Sequence, residues 1–481
     1  MNNSESKLKV LSRTLLLLML ISVVVVSCTD VPEPEPEDKN PKAPAETIAV
    51  NEFVEAVMKD VYLWYAAVPD IDINYEFDTK AYFEKLLHYE DKWSFITDDV
   101  KKLEESFEGI ETSYGWSLGF GRFSDTKTIF AVVEYVYPNT PAASAGLKRG
   151  DIIFSMNGND ITDDNYMDLL NSTNLSISFG QYGTSGISNV QTLSMNALKL
   201  NLDPVQFSSI IEHGGHKIGY LFYAQYIDNY NSSIDAVLQN FVDNQVTDVV
   251  LDLRYNPGGT TVAAQHLCSS LAPLDVVNGE KNLVKFQWNN KYQEYWISKN
   301  NQSQLGITFL NSVPVKMGLT KLYVITGKGT ASASELTITG LKPYMSQLTT
   351  VGDTTYGKYT ASITLKPEDF YTNPNDYKDF ENWAVQPIIL KYANSQGVTD
   401  FKNGFIADIP AEDDVFSPIP LGDKKEALLK IAIEDITGVE IVAMKSAPVK
   451  RKFTIFDRGF SKFDANKREL LINGMDKSVL Q

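Results

Sequence analysis

Ser332 lies just past two glycines in Gly327-Lys-Gly-Thr-Ala-Ser-Ala-Ser-Glu335, and a lysine follows 26 positions later in Gly352-Asp-Thr-Thr-Tyr-Gly-Lys358. A serine hydroxyl is a weak nucleophile until a neighbouring base takes its proton. An uncharged lysine amine can be that base, and the pair can then attack a carbonyl carbon without any histidine. Bringing a lysine pKa from ~10.4 to ~7.5 costs about 4 kcal/mol, which desolvation in a pocket can supply. Tyr356, Tyr359 and Ile363 are the expected walls of that pocket.

These side chains need a scaffold that brings distant segments together. Lys321-Leu-Tyr-Val-Ile-Thr326 is a strand by composition and runs straight into the Ser332 segment, where a helix is expected to begin near Ala331 to Ser334. Free amides at a helix N-terminus favour negative charge, so the N–H of Ala333 is a candidate for holding a tetrahedral oxyanion. A second buried strand ends in Leu251-Asp-Leu-Arg-Tyr-Asn-Pro-Gly-Gly259. Its paired glycines allow a sharp turn, so the N–H of Gly258 is the other candidate donor. Ile218–Tyr223, the helical spacing of Ile234, Val237, Leu238, Phe241 and Val242, and Val249–Leu253 read as a βαβ unit. An α/β core is therefore expected over 202–440, with 441–481 as a C-terminal extension of unassigned structure.

Two further regions precede that core. Over 48–110, Phe53, Val54, Val57, Val61, Trp64 and Tyr65, then Tyr82, Phe83, Leu86 and Leu87, follow a helical period, giving a small helical N-terminal domain. Over 111–201 short β-rich runs alternate with glycine turns. Gly115-Trp-Ser-Leu-Gly-Phe-Gly121 and Pro141-Ala-Ala-Ser-Ala-Gly-Leu-Lys-Arg-Gly-Asp-Ile-Ile153 resemble the PDZ family. A loop of Leu118, Gly119, Phe120 and Gly121 could aim backbone N–H groups at a terminal carboxylate while a strand edge pairs with the peptide.

Lys7, Lys9 and Arg13 precede twelve almost wholly apolar residues, Leu15 to Val26, and then Ser27-Cys28. Such a run spans ~18 Å as a helix against ~30 Å of hydrocarbon, so residues 1–27 read as an export signal rather than a membrane span. Val25-Val26-Ser27-Cys28 resembles a bacterial lipobox, which makes Cys28 the expected lipid attachment point and the cell envelope, outside the cytoplasm, the expected location. Proline and charge over 28–47 predict an extended tether. Cleavage would remove Lys7, Lys9, Arg13 and Glu5, leaving 40 basic against 60 acidic side chains, a net charge of −20. That sign argues against a nucleic-acid partner. Cys268, the one remaining cysteine, cannot form an internal disulfide and is expected to be buried.

The order of helical segment, PDZ module, Leu-Asp-Leu-Arg-x-Asn-Pro-Gly-Gly, Thr-Ala-Ser-Ala-Ser-Glu and Gly-Asp-Thr-Thr-Tyr-Gly-Lys resembles the C-terminal processing, or tail-specific, serine peptidases over roughly residues 48–435. The resemblance implies an α/β catalytic core of the crotonase and caseinolytic-protease kind. It implies Ser332 as nucleophile, Lys358 as general base, the N–H groups of Ala333 and Gly258 as the oxyanion hole, polypeptide substrates, and no metal or nucleotide cofactor. Two departures stand out. The family carries a glutamine four residues after the lysine, where this chain has Ser362, and the serine-to-lysine spacing is one residue longer.

Other chemistries find less support. Gly352–Lys358 nearly spells a phosphate-binding loop, but Tyr359 replaces the hydroxyl needed for magnesium. His88, His213, His216 and His266 fall in three segments with no metal-ligand spacing. The alternative class is a catalytically silent peptide- or ligand-binding lipoprotein on the same scaffold.

Overall fold

In a computed structural model the chain is described over residues 41–124, 128–183, 186–416, 419–442, 453–457, 470–472 and 475–480. The export signal, Cys28 and most of the expected tether lie outside the described residues. The chain divides into two units, Met1–Pro44 and Ala45–Gln481, and the described helices and strands lie in the second.

The first helix, α1 (Ala45–Asp60), buries Val50, Phe53, Val54, Val57 and Met58 along one face. Its apolar period continues to Tyr65 in the sequence, yet the helix stops at Asp60. Asn289 Nδ2 sits against the carbonyls of Asp60, Val61 and Tyr62 at 3.3, 3.1 and 3.2 Å, satisfying oxygens that the ended helix leaves without partners. Helices α2 (Thr79–Leu86) and α3 (Val100–Phe107) follow, each with an aspartate N-cap, Asp78 and Asp99. The buried residues of α1 and α2 join the same apolar cluster as Leu221, Leu251, Ala333 and Leu390. Helices α1 and α2 therefore pack on the α/β core rather than around a core of their own.

The next module is a sheet in the order β17-β1-β2-β3-β4-β5, where β1 is Trp116–Phe123, β2 Ile129–Val136, β3 Asp151–Met156, β4 Asn174–Gly183, β5 Gly186–Asn196 and β17 Phe453–Asp457, which arrives from the far end of the chain. Ile110–Ser113 pairs with Leu198–Asn201 and brings the module's two ends together. Leu118–Gly121, expected as a loop, lies inside β1. Leu118 and Phe120 are buried in the module's own core, and a Cβ on Gly121 would meet the Phe130 ring at 2.2 Å. Packing against β2 thus fixes this segment as a strand; the turn lies earlier, at Gly115, with φ of 77°.

The core sheet runs β6-β7-β8-β11-β12-β16, with β6 Val205–His213, β7 His216–Tyr223, β8 Asp248–Asp252, β11 Lys321–Thr326, β12 Gln347–Gly352 and β16 Ile409–Pro410. Only the β6–β7 pair is antiparallel. Helix α4 (Asn231–Asp243) makes the crossover from β7 to β8, and α5 (Thr261–Leu271) follows the glycine turn. Helix α6 (Ala333–Leu341) begins right after Ser332 and is buried along its whole length. A second sheet, β10-β9-β15-β13, contains β9 Asn282–Trp288, β10 Gly306–Thr308, β13 Thr360–Ser362 and β15 Ile388–Asn394, with β14 (Ala384–Gln386) just before β15. Helix α7 (Ala427–Thr437) covers the other face of the core sheet.

A buried charge network joins the β-rich module to the core. Arg149 donates to the Tyr255 hydroxyl and to Asp413 Oδ1 at 2.6 Å, and Arg254 donates to the same Asp413 oxygen at 3.0 Å and to Glu426 at 2.7 Å. Arg254 and Tyr255 belong to the segment that leads into Gly258, so the position of Arg149 is tied to the glycine turn. Removing one partner of such a buried set costs ~3–5 kcal/mol, because the remaining charge is stranded.

Candidate active site

Ser332 stands at the N-cap of α6 with φ 59° and ψ −114°. That is left-handed backbone for a non-glycine residue, a strain of ~1–3 kcal/mol that its surroundings must hold in place. It is held on three sides. The Ala331 N–H and the Ser334 hydroxyl both donate to the Asn256 carbonyl at 3.1 Å, the Thr330 hydroxyl donates to the Leu253 carbonyl at 2.8 Å, and Tyr356 N–H donates to the Thr330 carbonyl at 2.9 Å. The serine side chain is fully buried, and its Oγ has no hydrogen-bond partner among the described residues. An orphaned buried hydroxyl on strained backbone is the arrangement expected of a group kept for reaction.

The two expected oxyanion donors meet at this point. A Cβ built on Gly258 would lie 2.6 Å from Ser332 Cβ and 3.0 Å from Ala333 N, so the glycine backbone comes closer to Ser332 than a residue with a side chain could. Gly258 has φ of 110°, a second reason that only glycine fits. Ala333 N–H, the first amide of α6, has no acceptor among the described residues. Gly258 N–H, by contrast, donates to Asn256 Oδ1 at 2.9 Å. Serving an oxyanion would require that bond to be exchanged for one to substrate.

Lys358 is fully buried. Its Nζ lies 5.6 Å from the centre of the Trp93 ring, so the pocket wall comes from the N-terminal segment. Of the walls expected from local sequence, Tyr356 lies against that ring, 6.4 Å between ring centres, and Tyr359 and Ile363 are buried in the same apolar cluster as Trp93.

Glu335 is the residue that joins the Ser332 and Lys358 segments. Its fully buried carboxylate accepts from Ser332 N–H at 3.0 Å, Lys358 N–H at 2.7 Å, Gly357 N–H at 2.6 Å and the Thr355 hydroxyl at 2.6 Å. One oxygen, Oε2, thus holds the backbone nitrogens of both Ser332 and Lys358. The Tyr392 hydroxyl repeats the tie from the other side, contacting the carbonyls of Lys358 at 2.8 Å and Ser332 at 3.2 Å. Burial pushes the Glu335 carboxyl up to about 7, against the lowering effect of the four donors. Sequence reading quoted Glu335 only as part of a motif; the signal available was its place three residues past a helix-capping serine.

The missing glutamine is met from another strand. Gln386, at the end of β14 and fully buried, donates its amide to Ser362 Oγ at 3.0 Å and accepts from the Thr364 hydroxyl at 3.2 Å. The four candidate residues of the core, Ser332, Ala333, Gly258 and Lys358, are therefore gathered at one place. Leu118, Gly119, Phe120 and Gly121 lie in the separate β-rich module. Cys268 is buried against Thr337, where desolvation raises its thiol to about 12 and keeps it protonated.

Comparison with known families matches residues 217–411 to peptidase family S41, residues 49–95 to the peptidase S41 N-terminal domain and residues 132–174 to the PDZ domain. The carboxy-terminal processing protease CtpB of Bacillus subtilis is 24% identical over 71% of this chain and 63% of its own length. The carboxyl-terminal-processing protease of Synechocystis is 21% identical over 64% of this chain and 66% of its own. The chain thus spans just under two thirds of each of these relatives. A crystal structure of a Bacteroides fragilis protein assigned to the S41 proteases superposes with a TM-score of 0.63 at 26% identity, covering 80% of this chain and 97% of that one. The chain thus carries a peptidase family S41 domain, with an S41 N-terminal domain and a PDZ domain set ahead of it.

Proposed function

We propose that the protein is a serine endopeptidase, built on a core of the crotonase and caseinolytic-protease kind, that hydrolyses peptide bonds of exported polypeptides or of their C-terminal tails. The observation that carries this reading is the unpartnered, buried Ser332 hydroxyl on strained backbone, with one carboxylate holding it and Lys358 together. In the proposed reaction Ser332 Oγ attacks the substrate carbonyl carbon as its proton passes to Lys358 Nζ. The oxyanion that forms takes the Ala333 N–H, and that of Gly258 once Asn256 releases it. Collapse breaks the C–N bond, and Lys358 returns the proton to the departing amine. The acyl-enzyme is then opened by water that gives its proton to Lys358.

The PDZ module is proposed to capture or gate substrate, a role supported by Arg149 reaching the Arg254–Tyr255 segment. Anchoring through Cys28 in the cell envelope is proposed from residues 7–28 of the sequence alone. A second reading, a peptide-binding lipoprotein without turnover, draws on the Gly258 N–H already being committed to Asn256. Labelling with a fluorophosphonate separates the two. The peptidase reading expects a single adduct on Ser332 and hydrolysis of an unfolded protein that chelators leave unchanged. A chain with no adduct and no hydrolysis would sink it.

The Gln386 contact yields its own expectation. Gln386→Leu removes the bond that the amide gives the Ser362 hydroxyl, four residues past Lys358; a hydrogen bond of this kind is worth ~1–1.5 kcal/mol, so the variant should lower kcat about tenfold. KM should change little, since Gln386 lies behind the base rather than in the path of substrate. Steady-state kinetics on a quenched peptide substrate would check the split between kcat and KM.

A further inference from the structure

Two parts of the C-terminal extension occupy strand-accepting positions. Phe453–Asp457 runs antiparallel to β1, with Phe453 opposite Phe123, Thr454 opposite Arg122, Ile455 opposite Gly121 and Asp457 opposite Phe120. This is the free edge of the PDZ strand, the edge an added peptide would pair with. Further on, Leu470–Ile472 lies between the glycine turn and β13, with Leu471 bridging to Thr260 on one side and to Ser362 on the other. Leu471 N–H donates to the Gly259 carbonyl at 3.1 Å, and Thr261 N–H donates to the Leu471 carbonyl at 3.0 Å. On the other side, Ser362 N–H donates to the Leu470 carbonyl at 3.0 Å, and Ile472 N–H donates to the Ser362 carbonyl at 3.0 Å.

The second position is next to the chemistry. Gly259 is one residue from the proposed oxyanion donor, and Ser362 is four residues past the proposed base. A polypeptide passing Ser332 in extended form needs unpaired N–H and C=O groups along the cleft wall to hold it in register. The groups nearest the glycine turn, the Gly259 carbonyl and the Thr261 N–H, are already taken by Leu471. Leu470 and Ile472 are buried, as side chains seated in recognition pockets would be. Beside this segment a cavity of about 610 Å³, lined by Glu104, Thr260, Thr364, Leu471, Met475 and Lys477, leaves the site open to a longer chain.

We propose that the chain's own C-terminal segment is a resident competitor, which pairs with the PDZ edge through Phe453–Asp457 and with the catalytic cleft through Leu470–Ile472, and which a substrate must displace from both. The inference rests on the peptidase reading, because only then is the slot beside Gly258 a substrate cleft. It accounts for two separate strand additions by one stretch of chain with a single role.

The test uses full-length protein. Leu471→Pro removes the N–H given to Gly259 and cannot pair in the slot, and Ile455→Pro does the same to the PDZ edge. Hydrolysis of reduced, carboxymethylated lactalbumin should rise at least fivefold in Leu471→Pro. In a Ser332→Ala background, a fluorescein-labelled synthetic peptide of residues 451–480 should bind at least tenfold more tightly to either proline variant than to the chain with its tail intact. Anisotropy reads this binding without turnover. Unchanged or reduced hydrolysis with unchanged peptide affinity, or loss of the fold in Leu471→Pro with no gain in affinity in Ile455→Pro, would make the segment a permanent wall and overturn the proposal. Tighter peptide binding with no hydrolysis in any form would remove the peptidase reading and leave the tail inference standing. Equal hydrolysis and equal affinity across the forms would do the reverse.

Discussion

Lys358→Met and Ser332→Ala are each expected to lower kcat on an unfolded protein by roughly 10⁴-fold or more, and the double variant to be no slower than either. Neither residue has a use without the other: an undeprotonated serine barely attacks, and an amine with no hydroxyl to serve has nothing to deprotonate. Methionine keeps an unbranched stem of similar length against the Trp93 ring, so the pocket stays filled and the change isolates the amine. Ser332→Ala removes only an oxygen that has no hydrogen-bond partner, so its melting temperature should not fall. Additive losses, with the double variant slower than either single one by the product of their effects, would show that the two side chains work apart. Full activity in Lys358→Met would leave the base elsewhere.

What could be read from the sequence was what depends on local composition. The strands His216–Tyr223, Asp248–Asp252 and Lys321–Thr326, and the helix Asn231–Asp243 between the first two, follow from apolar runs and apolar spacing, because parallel strands buried on both faces have little else to be made of. The meeting of Ser332, Ala333 and Gly258 came from motif order rather than from any pattern in the chain. Three features depend on residues far apart in sequence and were out of reach. Trp93 reaches the lysine from the N-terminal segment, more than 260 residues away in sequence. Gln386 arrives from a different strand to meet Ser362. Leu118–Gly121 was read as a loop because of its glycines, yet Gly121 is small to make room for the Phe130 ring. In the 441–481 extension the described pairing, a strand at Phe453–Asp457 and bridges at Leu471, is too short to give a period and takes its partners from two other modules.

Glu335→Gln is expected to lower kcat by roughly 100-fold, about 2.7 kcal/mol at 1.36 kcal/mol per tenfold. The carboxylate accepts from four donors, and a side-chain amide put in its place turns an NH₂ toward donors that the carboxylate held. Each donor stranded this way costs ~1–3 kcal/mol, and two of them belong to Ser332 and Lys358, so the loss falls on the geometry of the reacting pair. The same residue sets opposing pH trends. With its carboxyl raised to about 7 by burial, the native chain holds a proton between pH 4.5 and 7 that the unfolded chain has lost. Stability from this group is therefore full below about 4.5 and is lost as pH rises through 7, by an amount on the order of 3 kcal/mol. Activity should move the other way, because a protonated carboxyl must turn an O–H toward one of the four donors and give up that bond. Urea unfolding of wild type and Glu335→Gln from pH 4.5 to 8 should show the variant losing less stability across this window, and its pH–rate profile should lack the part of the rise centred near 7. Parallel stability curves for the two proteins would place the charge of Glu335 outside the linkage and return the residue to a packing role.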